Sequence, residues 1–163
     1  MKAEVIKIDD GPKPGGWYSQ GFKVGNLIYT AGITAVDPNT NKLVAPGDIS
    51  EQTRQILRNI KLILERSGSD LSHIFKTMVF VADIDKFEEF NSAYEEFFPE
   101  NPPARSTMQI GKFNGGMEIE IEAIATIIEW FLSYVLQRLI ENSVKKIECR
   151  KTALLFIQYI LSC

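Results

Sequence analysis

The sequence predicts an α+β sandwich in which two helices cover one face of a mainly antiparallel sheet. Two segments repeat apolar residues with the 3.6-residue period of an amphipathic helix, and the segments around them are apolar and β-branched or alternate in polarity, as strands do. In chain order these elements read ββαβαββ, preceded by a short strand. This order places both helices on the same side of one sheet.

Length and composition are those of a globular domain. The chain has 163 residues, of which 45 % are hydrophobic and 24 % are charged, enough for a single hydrophobic core. The net charge of −3 argues against nonspecific nucleic-acid binding, which depends on clustered lysine and arginine. A single histidine, His73, excludes histidine-rich metal sites, and no apolar run opens the chain. We therefore expect no signal peptide and a cytoplasmic protein.

Charge and apolar content change near residue 129. Residues 1–129 carry 13 basic and 19 acidic side chains, a net charge of −6, whereas residues 130–163 carry 5 basic and 2 acidic ones, a net charge of +3. Of those last 34 residues, 20 are apolar, and both cysteines, Cys149 and Cys163, lie among them. The sequence therefore predicts one domain over 1–129 and a C-terminal helical extension over 130–163.

Before the first helix, the chain is predicted to form a short strand, a hairpin and two loops. The dipeptide Gly25-Asn26 separates two apolar runs, and both residue types tolerate the positive φ of a two-residue hairpin turn. In chain order the elements are a strand around residues 5–8, a loop over 11–16, strands over 22–24 and 27–31, and a loop over 37–47.

A first helix is predicted from residue 49 to residue 67. Asp48 and Glu51 have the spacing of a capping box, and Gly68 is suited to end the helix. The apolar residues between them fall on one helical face. They are Ile49, Ile56, Leu57, Ile60, Ile63 and Leu64.

A second helix is predicted after a buried strand over residues 74–81. Asp85 and Glu88 repeat the capping-box spacing, and Pro99 prevents the helix from continuing. An aromatic stripe marks its buried face. The stripe consists of Phe87, Phe90, Tyr94, Phe97 and Phe98.

Two further strands are predicted over residues 105–110 and 118–128, joined as a hairpin by a turn over 111–117. In the second strand, isoleucine and alanine alternate with Glu118, Glu120 and Glu122, so one strand face belongs to the core. No predicted element covers the second face of the sheet, and we expect oligomerisation to cover it.

The C-terminal extension is predicted to form two helical stretches, over 130–142 and 150–162. Each is shorter than the roughly 20 apolar residues that span a membrane, so no transmembrane role is expected. Two origins stay open for the extension. It is either an added pair of amphipathic helices or translated sequence beyond an ancestral stop codon.

Arg105 opens a strand directly after two prolines and an alanine, an unusual place for a cation unless it faces a groove. Arginine binds a carboxylate through two parallel N–H bonds, so a fixed arginine beside a cleft suits a small organic acid. The alternative is a surface ion pair with Glu118, Glu120 or Glu122.

Glu120 lies in the next strand of the predicted hairpin, where it and Arg105 could share a cleft. A carboxylate beside a bound substrate orients or deprotonates water. On the alternative interpretation, Glu120 belongs to the solvated face of an alternating strand.

Three other polar residues have a functional and a structural interpretation, and a fourth has only a structural one. Asn91 lies beside the aromatic stripe and is either a ligand donor or an ordinary polar helix residue. Thr107 shares a strand face with Arg105, because side chains two residues apart point the same way, and otherwise is a residue that simply favours a strand. Tyr18 follows a Gly-Gly-Trp turn and either presents its hydroxyl to a ligand or anchors the loop. His73 has no acidic or nucleophilic neighbour in a motif, and we interpret it as structural.

Seven segments of the sequence carry a resemblance to a known family. They are YSQG at 18–21, GNLIYTAG at 25–32, QTRQILRNIKLIL at 52–64, KTMVFVADI at 76–84, FNSAYEEFF at 90–98, PARS at 103–106 and EIEIEAIA at 118–125. In this order they resemble the Rid (YjgF-type) family of enamine/imine deaminases over residues 3–128. The resemblance implies a chorismate-mutase-like fold and a homotrimer with active sites between its subunits.

The resemblance also implies an activity and roles for particular residues. The family hydrolyses 2-aminoacrylate-type enamines and 2-iminobutanoate-type imines to 2-oxo acids and ammonia, without cofactor or metal. Arg105 would bind the substrate carboxylate and Glu120 would position the hydrolytic water. No nucleic-acid or membrane partner is expected. The residues that would line the substrate pocket are Tyr18, Gly32, Phe87, Asn91 and Thr107.

Three positions depart from the family pattern. Thr107 stands where cysteine is frequent, Ala31 where serine is frequent and Ile33 where a polar residue is frequent. These differences keep a second hypothesis open, a non-catalytic module that binds a small carboxylate or docks a partner. Ribonuclease activity, also attached to the family, is disfavoured by the charge of −6 over residues 1–129 and by the lone histidine.

Overall fold

Two helices and two β-sheets make up the computed structural model, which describes residues 2–128. In chain order its elements are β1 Ala3–Ile6, β2 Gly21–Val24, β3 Leu27–Thr30, β4 Val36–Asp37, β5 Lys42–Leu43, α1 Ile49–Ser67, β6 Ile74–Val81, α2 Phe87–Glu95, β7 Ala104–Gln109 and β8 Ile119–Thr126. The main sheet has the strand order β1-β2-β3-β8-β6-β7. The predicted α+β class is therefore confirmed. The helices predicted over 130–142 and 150–162 lie outside the described residues.

The predicted hairpin of β2 and β3 is present, and β1 pairs with β2, so the three strands form an antiparallel meander. Val5 pairs with Phe22, and Phe22 pairs in turn with Tyr29. Of the two residues in the β2–β3 turn, only Gly25 adopts a positive φ, of 65°. The glycine thus supplies the turn conformation that a side chain would resist.

The predicted loop over 37–47 contains a small second sheet that sequence reasoning missed. Strands β4 and β5 pair through Val36–Leu43 and Asp37–Lys42. The Asp37 carboxylate accepts a hydrogen bond of 2.8 Å from the backbone N–H of Asn39, which fixes the tight turn between the strands. Each strand is two residues long, too short to show an alternating pattern.

Helix α1 has the predicted bounds. The Asp48 carboxylate accepts a hydrogen bond of 3.0 Å from the backbone N–H of Glu51, and Gly68 ends the helix at φ 86°. The reciprocal half of the capping box is absent, because Glu51 pairs with Arg54 at 2.7 Å instead. One acidic cap and one glycine therefore fix both ends of the helix.

The start of α2 differs from the prediction. Asp83, rather than Asp85, caps the chain here, through a 3.0 Å hydrogen bond from the N–H of Asp85 that begins a short 3₁₀ turn over Ile84–Lys86. Helix α2 then starts at Phe87 with no side-chain cap. It ends at Glu95, so Phe97 and Phe98 follow the helix rather than belong to it.

The last two strands do not form the predicted hairpin. Strand β7 pairs in parallel with β6, and β8 pairs antiparallel with β3 and with β6. The physical reason is the helical crossover, since α2 returns the chain to the same end of the sheet from which β6 started. Strand β6 therefore lies between β7 and β8.

The two faces of the sheet differ in character. One face packs against the helices, and its buried side chains alternate along β8 as predicted; they also alternate along β6, which was predicted as a fully buried strand. On the other face, Val5, Phe22 and Tyr29 form a row that continues to Ile124 and is partly exposed. Between residues 2 and 128, no helix is long and apolar enough to cross a membrane. The fully buried core side chains include Ile28, Ile56, Leu57, Ile60, Leu64, Val79, Phe90 and Ile121.

Candidate functional site

Arg105 lies on the helix-covered face of the sheet. In the parallel ladder it pairs with Thr77, which is fully buried beneath α2. Paired residues of adjacent strands point to the same face, so the Arg105 side chain is directed toward α2. Strand β7 is an edge strand, and the guanidinium is half-buried rather than enclosed.

Helix α2 holds the guanidinium of Arg105 from several directions. Nη2 donates a hydrogen bond of 2.7 Å to Oδ1 of Asn91. The guanidinium carbon lies 5.4, 4.8 and 4.7 Å from the ring centroids of Phe87, Phe90 and Tyr94. These distances are those of cation–π contacts. The predicted aromatic stripe is therefore both a core element and a platform for a charged side chain.

The platform is itself ordered by ring packing and by one buried hydrogen bond. Phe90 packs edge-on against Phe87 and against Tyr94, with centroid distances of 5.8 and 5.6 Å. The Tyr94 hydroxyl lies 2.9 Å from Oγ1 of Thr77. Burial raises the pKa of Tyr94 above its ordinary value, although the Thr77 hydrogen bond opposes this. The hydroxyl therefore stays neutral over the ordinary pH range.

A cleft of about 550 Å³ opens beside Arg105. Its walls combine the guanidinium and the Asn91 amide with apolar rings and one carboxylate, that of Glu95. This mixture suits a small organic acid whose carboxylate meets the arginine while the rest contacts apolar surface. The lining residues are Asn91, Tyr94, Glu95, Phe98, Pro99, Pro102, Pro103 and Arg105.

The surface ion pair considered for Arg105 is not formed. Among the side chains of residues 2–128, no carboxylate oxygen lies within 4.0 Å of its guanidinium nitrogens. Glu118 instead pairs with Lys86 at 2.9 Å, and Glu120 and Glu122 point to the opposite face of the sheet. The guanidinium therefore has donors available to a ligand carboxylate.

Glu120 belongs to a second cluster, on the open face of the sheet. It pairs with Phe80, and its carboxylate lies so close to Gly32 that a Cβ placed on that glycine would be 2.1 Å from Oε1. Desolvation raises the pKa of the Glu120 carboxyl, and the negative charge of Glu122 raises it further. A raised pKa brings a carboxylate closer to the range of an effective general base at neutral pH.

Tyr18 lies near the Glu120 cluster rather than near Arg105. It lines a small pocket with Gly32 and Ile33, and its hydroxyl accepts a hydrogen bond of 2.9 Å from the backbone N–H of Gly15. The Tyr18 side chain is 55 % exposed. Its hydroxyl thus anchors the loop, and its side chain lines a pocket together with Gly32, the glycine that lies against Glu120.

The sequence-predicted site residues therefore fall into two groups. Phe87, Asn91 and Arg105 lie together on the helix side, whereas Glu120 lies against Gly32 on the open side. Tyr18 lines a small pocket together with Gly32. The prediction that Arg105 and Glu120 share one cleft, which followed from the expected hairpin, is wrong within one copy of the chain. Strand β6 separates the two strands, and the two side chains point to opposite faces.

Thr107 and His73 are not central to either group of site residues. Thr107 is half-buried on the same strand face as Arg105 and pairs with Val79. His73 does have polar neighbours, contrary to the prediction, because Nδ1 lies 2.8 Å from Asp70 and 3.1 Å from Ser72. Both partners meet the same ring nitrogen, which is not the arrangement of a catalytic triad. In the described part of the chain, no three His, Cys, Asp or Glu side chains could hold a metal ion.

Two residues of the site were missed by sequence reasoning. Tyr94 was assigned to the core stripe and Thr77 to a buried strand, without a role toward Arg105. The available signal was the i, i+3 spacing of Asn91 and Tyr94, which places both on one helical face. The strand register that brings Thr77 beneath that face is a long-range property and has no local signal.

The sequence of this α+β domain matches a known family. The family model described as Endoribonuclease L-PSP matches residues 9–127, and the chain is a member of this family, which includes the Rid (YjgF-type) deaminases. A RutC family protein of Pyrococcus abyssi is 43 % identical over 125 residues, 77 % of this chain and 98 % of that protein.

Two comparisons concern proteins of Escherichia coli. The 2-iminobutanoate/2-iminopropanoate deaminase of strain K12 is 40 % identical over 126 residues, which cover 76 % of this chain and 97 % of that enzyme. The crystal structure of TdcF with bound serine is similar with a TM-score of 0.70 and 32 % identity, covering 77 % of this chain and 99 % of that one.

Proposed function

We propose that the protein hydrolyses reactive 2-enamine and 2-imine acids, of the 2-aminoacrylate and 2-iminobutanoate type, to 2-oxo acids and ammonia. The observation that carries this proposal is the guanidinium of Arg105, held beside an open cleft with no carboxylate partner among residues 2–128. The similarity to the E. coli deaminase supports it. The activity is assigned to a domain over residues 1–129.

Binding of the substrate carboxylate is assigned to Arg105. Two of its N–H groups would donate parallel hydrogen bonds to the two carboxylate oxygens, while Nη2 keeps its bond to Asn91. Phe98 and the prolines that line the cleft would contact the short carbon chain of the substrate, and Phe87 would support the guanidinium of Arg105. TdcF binds serine, a small molecule that also carries a carboxylate.

The hydrolytic step is assigned to a water positioned by Glu120. An enamine first takes a proton from solvent at C3 and becomes the protonated imine; water then adds to C2 as Glu120 accepts its proton, which gives a carbinolamine. Glu120 returns this proton to the carbinolamine nitrogen, and the hydroxyl then loses its proton to the Glu120 carboxylate as the C–N bond breaks, so that ammonia and the 2-oxo acid leave. The imine carbon is already electrophilic, so positioning and one carboxylate supply the catalysis that is needed.

The proposal requires two copies of the chain in each active site. Within one subunit, Arg105 and Glu120 point to opposite sheet faces, so one substrate reaches both only if the neighbouring subunit supplies the second group. The row of Val5, Phe22 and Tyr29 leaves apolar surface on the face that carries Glu120. A homotrimer that buries this face would bring Glu120 of one subunit to the cleft of the next.

A coupled assay tests the activity. Threonine dehydratase releases 2-iminobutanoate from threonine, and semicarbazide traps the imine as a chromophore. Added protein should lower the rate of trapping while 2-oxobutanoate still accumulates. Unchanged trapping at micromolar protein would refute the deaminase proposal.

Two variants separate the assigned roles. Arg105→Ala should lower kcat/KM roughly 100-fold or more, because it removes two charge-assisted hydrogen bonds, and Arg105→Lys should fall between it and the wild type. Glu120→Gln should lower kcat by roughly 100-fold or more, the contribution of a general base. Arg58→Ala, an exposed arginine of α1, is the matched control and should retain full activity.

A second candidate function is a binding module without turnover. It is favoured by the cleft itself, which lies on one subunit and holds its arginine without any contribution from Glu120. Calorimetry with 2-oxobutanoate would then show binding while the coupled assay shows no hydrolysis. Measured turnover would exclude this candidate.

A further inference from the structure

We infer that Tyr94, fixed by its hydrogen bond to Thr77, is a positioning residue that orders the Arg105 guanidinium for a ligand carboxylate before the ligand binds. The inference rests on the carboxylate-binding role proposed for Arg105. Tyr94 acts through Arg105 and need not touch the substrate's reacting atoms.

The contacts that carry this inference form a short chain through the helix side of the sheet. Thr77 on β6 meets the Tyr94 hydroxyl at 2.9 Å, and both residues are buried. The Tyr94 ring in turn lies 4.7 Å from the guanidinium carbon, the shortest of the three ring distances. A fixed hydroxyl at one end of the ring therefore fixes the surface on which Arg105 stacks.

Strand pairing links Thr77 to Arg105 a second time, through the backbone. Thr77 is the register partner of Arg105 in the β6–β7 ladder. One residue thus sets the backbone position of Arg105 and, through Tyr94, the orientation of its side chain. Asn91 lies three residues before Tyr94 on α2 and accepts one N–H of the guanidinium, which prevents rotation about the stacking direction.

Ordering matters because a free arginine side chain has many rotamers. A ligand that must order the arginine loses affinity, whereas a ligand that meets an ordered fork does not. Ring stacking preserves the charge and leaves the N–H edges available, which a salt bridge would not. The hydrogen bond between the hydroxyls of Thr77 and Tyr94 therefore raises ligand affinity as well as stabilising the core.

Three variants separate positioning from stability. Tyr94→Phe keeps the ring and removes the hydroxyl; Thr77→Val keeps the shape and removes the other hydroxyl. Each leaves one buried hydroxyl without this partner and should lower the melting temperature. The double variant removes both polar groups and should recover most of that loss, because replacing both partners by apolar groups of the same shape is nearly neutral.

Affinity should not recover with stability. Calorimetry with 2-oxobutanoate should give a Kd raised about 3- to 10-fold in Tyr94→Phe and in the double variant. This is the loss of affinity that corresponds to the net free energy of one hydrogen bond. KM should rise by a similar factor while kcat changes little, since the carboxylate contact is made equally in the ground and transition states. In the ligand-free protein, the NMR order parameter of the Arg105 Nε–H should fall.

A matched control is available at Ser69, just after the C-terminal end of α1. Ser69 is buried and donates a hydrogen bond of 2.7 Å to the carbonyl oxygen of Thr126 on β8, not to α2. Ser69→Ala should lower the melting temperature and leave Kd, KM and the Arg105 order parameter unchanged. An effect of this control on Kd would show that affinity follows general stability, and would overturn the inference.

The outcomes distinguish this inference from the proposed activity. Unchanged Kd and Arg105 order in Tyr94→Phe and the double variant, with active wild type, would overturn the positioning role alone. Recovery of Kd together with stability in the double variant would do the same. Wild-type binding without imine hydrolysis would refute the activity, and the variants' Kd values would still decide the positioning role. Wild-type protein that neither binds a 2-oxo acid nor hydrolyses the imine would overturn both.

Discussion

Arg105 and Glu120 extend from opposite faces of one sheet, on strands β7 and β8 that are separated by β6. The distance between the two groups within a subunit is therefore set by the thickness of the sheet and cannot be closed by side-chain rotation. A reaction that uses both groups on one substrate therefore requires two copies of the chain, as the proposed function states.

Mixed assemblies of inactive subunits should recover activity. Arg105→Ala and Glu120→Gln should each be inactive alone, but subunits refolded together should show roughly one quarter of wild-type activity, because random mixing in a cyclic trimer pairs an intact Arg105 with an intact Glu120 at that frequency. Activity of the refolded mixture is compared with that of each variant refolded alone. A mixture as inactive as its components would contradict a site shared between subunits.

The pH dependence of kcat/KM should reflect the raised pKa of Glu120. A general base works when deprotonated, so activity should fall as pH decreases through that pKa, at a higher pH than for an exposed glutamate. Glu122→Gln removes the negative charge that disfavours ionisation of Glu120, so its acidic limb should move to lower pH. Glu4→Gln, in an exposed position of β1, should leave the profile unchanged. A pH profile that does not move in Glu122→Gln would show that the acidic limb does not report the ionisation of Glu120.

Gly32→Ala should impair catalysis more than folding. A Cβ at this position would meet the Glu120 carboxylate at 2.1 Å, so the carboxylate must move, and displacing a catalytic group by about 1 Å costs roughly 100-fold in rate. The glutamate side chain is flexible, and we expect little change in the melting temperature. Gly111→Ala is the control, since a Cβ there meets nothing within 4 Å. Normal kcat in Gly32→Ala would argue against a role for the observed Glu120 position.

Gly68→Ala should destabilise the fold without affecting the site. Gly68 has φ 86°, and its added Cβ would meet only Ile127, at 3.9 Å, so the cost is conformational strain rather than collision. The free energy of unfolding should fall by about 1 kcal/mol. Urea denaturation at one fixed protein concentration measures it, with Gly111→Ala as the unstrained reference. No difference between the two variants would contradict a left-handed helix end.

Local features of the fold could be predicted from the sequence. The bounds of α1 followed from Asp48, Gly68 and a regular apolar face, and the buried face of β8 followed from strict alternation. These features depend on residues close together in the chain. The predicted start of α2 was wrong because Asp83 and Asp85, two residues apart, are both possible capping residues. Asp83 caps a short 3₁₀ turn, and such a turn has no distinct sequence pattern.

Long-range pairing could not be predicted, and the arrangement of the candidate site depends on it. The hairpin expected for β7 and β8 assumed that neighbours in sequence pair in space, whereas the crossover through α2 placed β6 between them. The sequence singles out Arg105 as a candidate site residue, but the face of the sheet on which it lies depends on its register with Thr77. That register has no signal in the residues around Arg105.

The crossover also has a consequence for how such a protein can change. All the described side chains that hold Arg105 come from the continuous segment β6–α2–β7, whereas Gly32 and Glu120 come from segments before and after it. On the proposed function, carboxylate binding and water activation are thus encoded in separate segments of the sequence. If so, substitutions around Glu120 would alter or abolish turnover and leave carboxylate binding in place, and this architecture would allow an enzyme to become a sensor, or a sensor an enzyme, with the same binding residues.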